Sequence, residues 1–201
     1  MTLTPDESAL RRIHRIQIVT IIWMSVEAGA SLIAAWRAHS PALIAFGGDS
    51  AIELFSAVVV LWAFSRRLRE HPETLSNRIA GILLFALAAY VALVSAMALR
   101  GHNEPKPSYI GVAVLIAAAV IMPWLARQKR ELSATAGSAA LRADAAQSSV
   151  CAYLSVIALF GLVANLIWHV SWADPCAALA ITPLILREGK EAVRGKPCEC
   201  C

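Results

Sequence analysis

Charged residues are scarce in this sequence, and their scarcity excludes an ordinary soluble domain. Of the 201 residues, 16% are charged and 58% are hydrophobic, whereas an average soluble domain carries about 25% charged residues. The basic residues, which give a net charge of +4, lie in short clusters between apolar runs and not along one stripe, so no nucleic-acid partner is expected. The composition favours an all-α membrane protein.

Motifs of soluble enzymes are also missing. The sequence has no glycine-rich phosphate loop and no nucleophile triad motif, which are the patterns that position reacting groups in many enzymes. Its five histidines lie at or beyond the ends of the apolar runs, and none is spaced from another as a pair of metal ligands. We therefore expect no enzymatic activity and no prosthetic group.

Six apolar runs are present, and each is a candidate transmembrane helix in the lipid bilayer. A hydrocarbon core of about 30 Å needs about 20 helical residues, and the sixth run is short by this measure. The sequence predicts a polytopic bundle of six transmembrane helices at 16–187, an N-terminal segment at 1–15, and a tail at 188–201 without a C-terminal soluble domain. The runs cover residues 16–36, 41–64, 79–99, 108–126, 145–168 and about 171–186.

The distribution of basic residues supports this count. In a six-span chain the clusters at 11–15, 66–78, 127–142 and 187–196 all fall on one side of the membrane. The opposite loops hold only Arg37, Arg100 and Lys106. Because cytoplasmic loops are enriched in Lys and Arg, both termini are predicted to be cytoplasmic, and the membrane to be a bacterial inner (plasma) membrane.

Three carboxylic acids, Glu27, Asp49 and Glu53, lie inside the first two runs. A charged side chain at the centre of a bilayer costs at least about 2.5 to 3.5 kcal/mol, so each needs a partner, water or a cation. Asp49 and Glu53 are four residues apart and share a helix face, which allows both to reach one ion. Alternatively they are protonated and hydrogen-bond neighbouring helices, or line a wet cavity. Glu27 is an accessory candidate, as a ligand, a proton relay or a cavity-lining residue.

A second polar face occurs in the fifth run, where Asp144, Gln147 and Cys151 stand at i, i+3 and i+7. If the two helices are antiparallel, Asp49 lies near Cys151 and Glu53 near Gln147. These four groups would form a metal site with carboxylate, amide and thiol donors, with Asp144 as an accessory residue. Alternatively Gln147 bonds a neighbouring helix, and Cys151 is a small core residue.

These segments resemble the cation diffusion facilitator (cation efflux) family. Residues 48–56, Gly-Asp-Ser-Ala-Ile-Glu-Leu-Phe-Ser, are similar to the second-helix motif of that family, and residues 141–151 are similar to its fifth-helix motif. Residues 173–175, Ala-Asp-Pro, are similar to the start of its last helix. The resemblance covers the transmembrane domain and implies a cation-efflux-like bundle, alternating access and a homodimer.

The fifth-helix motif departs from the family pattern, since Gln147 stands where the family has His and Cys151 where it has Asp. Family members export zinc, cadmium, manganese or iron in exchange for protons, so the resemblance implies a divalent metal ion as substrate. The missing histidine leaves proton exchange open, because imidazole is the side chain most readily protonated near neutral pH. The thiol favours a zinc-like or softer ion such as cadmium.

The C-terminal tail offers three further thiols, those of Cys198, Cys200 and Cys201. Such a cluster is suited to capturing zinc or cadmium. Alternatively the tail is lipidated, or its cysteines have no function.

Three functions are compatible with these features. The first is a secondary transporter that exports a divalent transition-metal ion from the cytoplasm, with proton exchange open. The second is a non-transporting membrane metal sensor or partner subunit with the same fold, which the altered fifth-helix pair suggests. The third is a structural membrane subunit that binds no metal.

Overall fold

The computed structural model describes residues 7–65, 72–102, 104–136 and 139–194, and the regular structure in these ranges is entirely helical. The all-α, six-helix fold predicted from the sequence is confirmed. The helices are α1 (Glu7–Ala38), α2 (Pro41–Ser65), α3 (Pro72–Leu99), α4 (Tyr109–Ala136), α5 (Ala139–Trp168) and α6 (Ala173–Arg194).

Four of the helices contain a described segment that is long and apolar enough to cross a membrane. These segments are Arg12–Ala38, Arg78–Leu99, Tyr109–Ala134 and Asp144–Trp168. The other two helices, α2 and α6, have 25 and 22 residues, or about 33 to 38 Å of helix at 1.5 Å per residue. That length also matches a hydrocarbon core of about 30 Å.

α2 occupies the inside of the bundle. It packs against α1, α3, α5 and α6, while α4 and α5 form a closely packed pair beside it. Fully buried core residues such as Met24, Phe46, Leu115 and Leu154 fill the space between the helices. The acidic residues of α2 are therefore surrounded by protein on several sides.

Large apolar side chains cover the outside of the bundle. Trp36 is 81% exposed, Phe160 is 74% exposed and Val120 is 68% exposed. Exposed apolar surface of this extent is rare on soluble monomers and is expected where a protein faces lipid. The surface thus agrees with the membrane class that the composition predicts.

The start of α2 is fixed by its own cap and by α6. Ser40 is the N-cap residue, Pro41 follows at the first helical position, and the Ser40 Oγ accepts a hydrogen bond from the Leu43 amide at 3.1 Å. Asp174, in the first turn of α6, accepts hydrogen bonds from the Ser40 hydroxyl at 2.5 Å and from the Ala42 amide at 3.1 Å. These bonds hold the helix that carries Asp49 and Glu53 against α6.

α3 and α6 approach each other closely at two glycines. A methyl group at Gly81 would lie 2.6 Å from the Val193 Cγ2 and 2.7 Å from the carbonyl oxygen of Gly189. Because the second neighbour is backbone, it cannot rotate away. The absence of a side chain at Gly81 therefore sets the distance between α3 and α6.

Candidate metal centre

α2 and α5 bring three metal-ligating side chains to one point. One carboxylate oxygen of Asp49, one of Glu53 and the Sγ of Cys151 all lie within 4.8 Å of one another. The three residues are buried, at 3%, 1% and 0% exposed. Since the two carboxylates are four residues apart, a single helix face presents both of them to α5.

α1 contributes a fourth polar residue, Glu27, at the thiol end of this group. The fully buried Glu27 accepts hydrogen bonds at Oε1 from the Ser50 hydroxyl, at 2.7 Å, and from the Cys151 thiol, at 3.4 Å. The Ser50 Oγ and the Cys151 Sγ are themselves 3.8 Å apart. Glu27 and Ser50 together therefore fix the position of the Cys151 side chain.

Two carboxylate oxygens of the cluster are buried and have no hydrogen-bond partner among the described residues. They are the Oε2 atoms of Glu27 and Glu53. A buried polar atom without a partner costs about 1 to 3 kcal/mol, and more where the group is charged. A divalent cation held by Asp49, Glu53 and Cys151 would give the Glu53 carboxylate a partner, so the donor set fits such an ion.

Ser148 connects Glu53 to an ion pair between the buried Lys129 and the half-buried Asp144. The Ser148 Oγ is 3.4 Å from the Glu53 Oε1, and it accepts a hydrogen bond from the Lys129 Nζ at 2.9 Å. The same ammonium group is 2.9 Å from the Asp144 Oδ1, and the Asp144 Oδ2 accepts a hydrogen bond from the Gln17 Nε2 at 3.1 Å. A continuous polar path therefore leads from the candidate metal centre to the α4–α5 pair.

The remaining residues predicted from the sequence lie in different surroundings. Gln147 is half-buried, one turn before Cys151 in α5, and its role as a ligand stays a prediction. Asp144 is the ion-pair partner of Lys129. The predicted tail ligands Cys198, Cys200 and Cys201 lie outside the described residues.

Lys129 and Ser148 were not anticipated from the sequence. Lys129 belongs to a basic cluster that we interpreted only as an indicator of membrane topology. Its burial inside the bundle was therefore not predicted. Counting back along α4, it follows Leu125 and Met122 at spacings of four and seven residues, and these two are fully buried. That helical spacing is the signal that could have placed Lys129 in the interior.

Glu188 of α6 was also missed, because it lies just beyond the sixth apolar run. Its Oε2 is buried and has no hydrogen-bond partner among the residues that the structure describes. Its charge is repelled by those of Asp49 and Glu53. α6 therefore adds another carboxylate to the electrostatic surroundings of the centre.

Comparison with known proteins agrees with this geometry. The family model of the cation efflux transmembrane domain matches residues 18–194. The chain is 27% identical over 159 residues to the uncharacterized transporter YdbO of Bacillus subtilis (strain 168), covering 74% of this chain and 54% of that protein. It is 26% identical over 180 residues to the manganese efflux system protein MneS of the same organism, covering 85% of this chain and 62% of that protein.

The chain thus spans a little more than half of the length of these relatives. Both are named as transport or efflux proteins, in agreement with the prediction that the chain is not an enzyme. The family match covers most of the sequence and includes Glu27, Asp49, Glu53 and Cys151. The chain therefore belongs to the cation efflux family, whose transmembrane domain it contains.

Proposed function

We propose that this protein exports a divalent transition-metal ion from the cytoplasm as a secondary transporter. The observation that carries the proposal is the buried group formed by Asp49, Glu53 and Cys151, whose donor atoms lie within 4.8 Å of one another. The family match supports transport over a metal-sensing role. Gln147 completes the proposed ligand set, one helical turn from Cys151.

The proposed ion is zinc or a softer ion such as cadmium. A thiol ligand favours zinc and softer metals, whereas carboxylates suit manganese. Since Asp49 and Glu53 contribute carboxylates and one relative is named a manganese efflux protein, manganese is the second candidate. Zinc is the ion that accepts both kinds of donor most readily.

In alternating access, the ion stays bound at one site while the site opens first to one side of the membrane and then to the other. The site lies between α2 and α5, and α1 contributes Glu27. Rocking of these helices against the rest of the bundle would open the centre first to the cytoplasm and then to the opposite side. Proton exchange and a homodimeric assembly in a bacterial inner membrane are parts of the proposal that rest on the family resemblance.

Metal flux into proteoliposomes tests the proposal. Purified protein is reconstituted, and uptake of zinc, cadmium and manganese is measured while the internal pH is recorded. Asp49→Ala and Glu53→Ala should abolish uptake because each removes a ligand. Glu104→Ala is the matched control, since Glu104 is an exposed acid in the α3–α4 connection, and it should transport like the wild type.

Two other outcomes would contradict the proposal. Undiminished flux in folded Asp49→Ala protein would show that the carboxylate pair does not hold the ion. Absence of flux for every ion in folded wild-type protein would instead favour a metal sensor or partner subunit. A change of internal pH that accompanies metal flux would establish proton exchange.

A further inference from the structure

Lys129 is a buried cation close to the candidate metal centre. Its side chain is 0% exposed, and its Nζ is 2.9 Å from both the Asp144 Oδ1 and the Ser148 Oγ. Ser148 in turn lies 3.4 Å from Glu53. A single hydroxyl group therefore separates the ammonium group of Lys129 from a proposed metal ligand.

Lysines are almost never fully buried unless paired. If Lys129 interacted with Asp144 alone, the ion pair would have only a structural role. The charge of Lys129, however, also acts on Glu53. Within the described part of the chain, Lys129 is the cation that acts most strongly on this carboxylate. The other charged groups that act on Glu53 are acids, namely Asp49, Asp144, Glu27 and Glu188.

The transport cycle creates a need for such a cation. A divalent ion neutralises Asp49 and Glu53 while it is bound. After the ion has been released, the empty protein has to return to its cytoplasm-facing state with the same two carboxylates buried. Uncompensated charge inside a membrane protein is costly. In exchangers, an exchanged cation supplies the compensation on the return step.

The lysine side chain can supply that charge without leaving the protein. Its ammonium group offers three donors on a flexible four-carbon stem. The ammonium group donates hydrogen bonds to Asp144 and Ser148, and Ser148 lies between Lys129 and Glu53. A small movement of the stem would therefore transfer its electrostatic effect from Asp144 towards Glu53.

We propose that Lys129 is an internal counter-cation, which stays with Asp144 while the divalent ion is bound and neutralises Glu53 after the ion has left. The return of the empty protein then requires no exchanged cation at this carboxylate. This inference rests on the proposed transport function and adds a positioning residue to it. Lys129 does not ligate the transported ion.

Separate measurement of net transport and metal exchange tests this role. Net uptake of radiolabelled zinc into empty proteoliposomes requires the empty protein to return, whereas exchange against unlabelled internal zinc does not. Lys129→Gln should lower net uptake at least about tenfold and leave exchange close to the wild-type rate. Lys129→Arg keeps the charge and should retain both activities, as should Lys106→Gln, which removes an exposed lysine.

A second variant guards against loss of folding. Lys129→Gln leaves the half-buried Asp144 without its cation. Lys129→Gln/Asp144→Asn removes both charges of the pair and should show the same selective loss of net uptake. Equal net uptake and exchange in this folded double variant, whether both are normal or both are lost, would overturn the inference. Wild-type protein that shows neither activity would overturn the proposed transport function itself.

Discussion

Cys151 is one of the two residues, with Gln147, at which the sequence departs from the family pattern. It is fully buried, donates a hydrogen bond to Glu27 and lies within 4.8 Å of donor atoms of Asp49 and Glu53. A buried cysteine is often a core residue, but this thiol faces three carboxylates. Its position therefore suggests that it contributes to the choice of metal ion.

Substitution of Cys151 by Ser tests this contribution. The change replaces sulfur with oxygen at nearly constant shape, so we expect the apparent affinity for cadmium to fall at least about tenfold, or about 1.4 kcal/mol. The affinity for manganese should change less, because manganese prefers oxygen ligands. Competition between the two ions in the flux assay measures the ratio.

Cys176→Ser is the control for this experiment, because Cys176 is exposed at the start of α6. It should leave the cadmium-to-manganese ratio unchanged. An equal loss of affinity for cadmium and manganese in Cys151→Ser would mean that the thiol has a packing role and does not select the metal.

At the residue scale, the sequence predicted three of the proposed ligands better than it predicted the residue of α5 that contacts Glu53. Asp49, Glu53 and Cys151 follow from helical spacing, and they meet in the structure. The neighbour of Gln147, Ser148, is the residue that approaches Glu53. Consecutive helical residues point about 100° apart, so a small rotation of α5, which the sequence does not specify, decides which of the two approaches α2.

The helices themselves were easier to predict than their contacts. Apolar runs and basic clusters gave all six helices, including the short sixth run that became α6. The pairing of Lys129 in α4 with Asp144 in α5 depends on how two helices pack. Sequence spacing describes one helix at a time, so this pair could not be predicted from it.

Asp174 links two elements, and its removal should destabilise the bundle. Asp174→Ala removes the acceptor for the Ser40 hydroxyl and the Ala42 amide. Charge-assisted hydrogen bonds contribute about 1.5 to 3 kcal/mol, so the free energy of unfolding should fall by about that amount. Thermal unfolding of the detergent-solubilised protein, followed by size-exclusion chromatography, measures the loss.

Asp174→Asn serves as the conservative comparison, because its amide oxygen can still accept one of the two hydrogen bonds. Its melting temperature should lie between those of the wild type and Asp174→Ala. If Asp174→Ala has the same melting temperature as the wild type, the connection between α2 and α6 does not depend on this cap.

The α3–α6 contact gives a second prediction at the element scale. Gly81→Ala places a methyl group 2.7 Å from the Gly189 carbonyl oxygen, so the two helices must separate. Overpacking of this kind costs about 1 to 3 kcal/mol. The melting temperature should fall, although alanine is the better helix former.

Gly29→Ala is a matched control in α1, because nothing lies within 4 Å of a methyl group added there. This variant should be as stable as the wild type or slightly more stable. Equal stability of Gly81→Ala and Gly29→Ala would show that the close approach of α3 and α6 does not limit stability.

For the whole molecule, the distribution of surface residues and charge determines how the bundle sits in the membrane. Exposed aromatic residues lie at one end of the bundle: Trp36, Tyr109 and Trp168 are near the ends of their helices, and Trp172 directly precedes α6. That end contains the α1–α2, α3–α4 and α5–α6 connections. Aromatic side chains of this type are enriched at membrane interfaces. The described basic residues Arg12, Arg127, Arg130 and Arg187 lie towards the opposite end.

The positive-inside rule therefore predicts that the end with the α4–α5 connection faces the cytoplasm. Reporter fusions in a bacterial host measure the orientation. A fluorescent protein fused after residue 136 or after residue 194 should fluoresce, and alkaline phosphatase at the same points should be inactive. The opposite pattern is expected after residue 104 and after residue 170. Phosphatase activity after residue 194, combined with fluorescence after residue 136, would mean that α6 does not cross the membrane. It would also displace Asp174 and Glu188 from the positions on which their roles here depend.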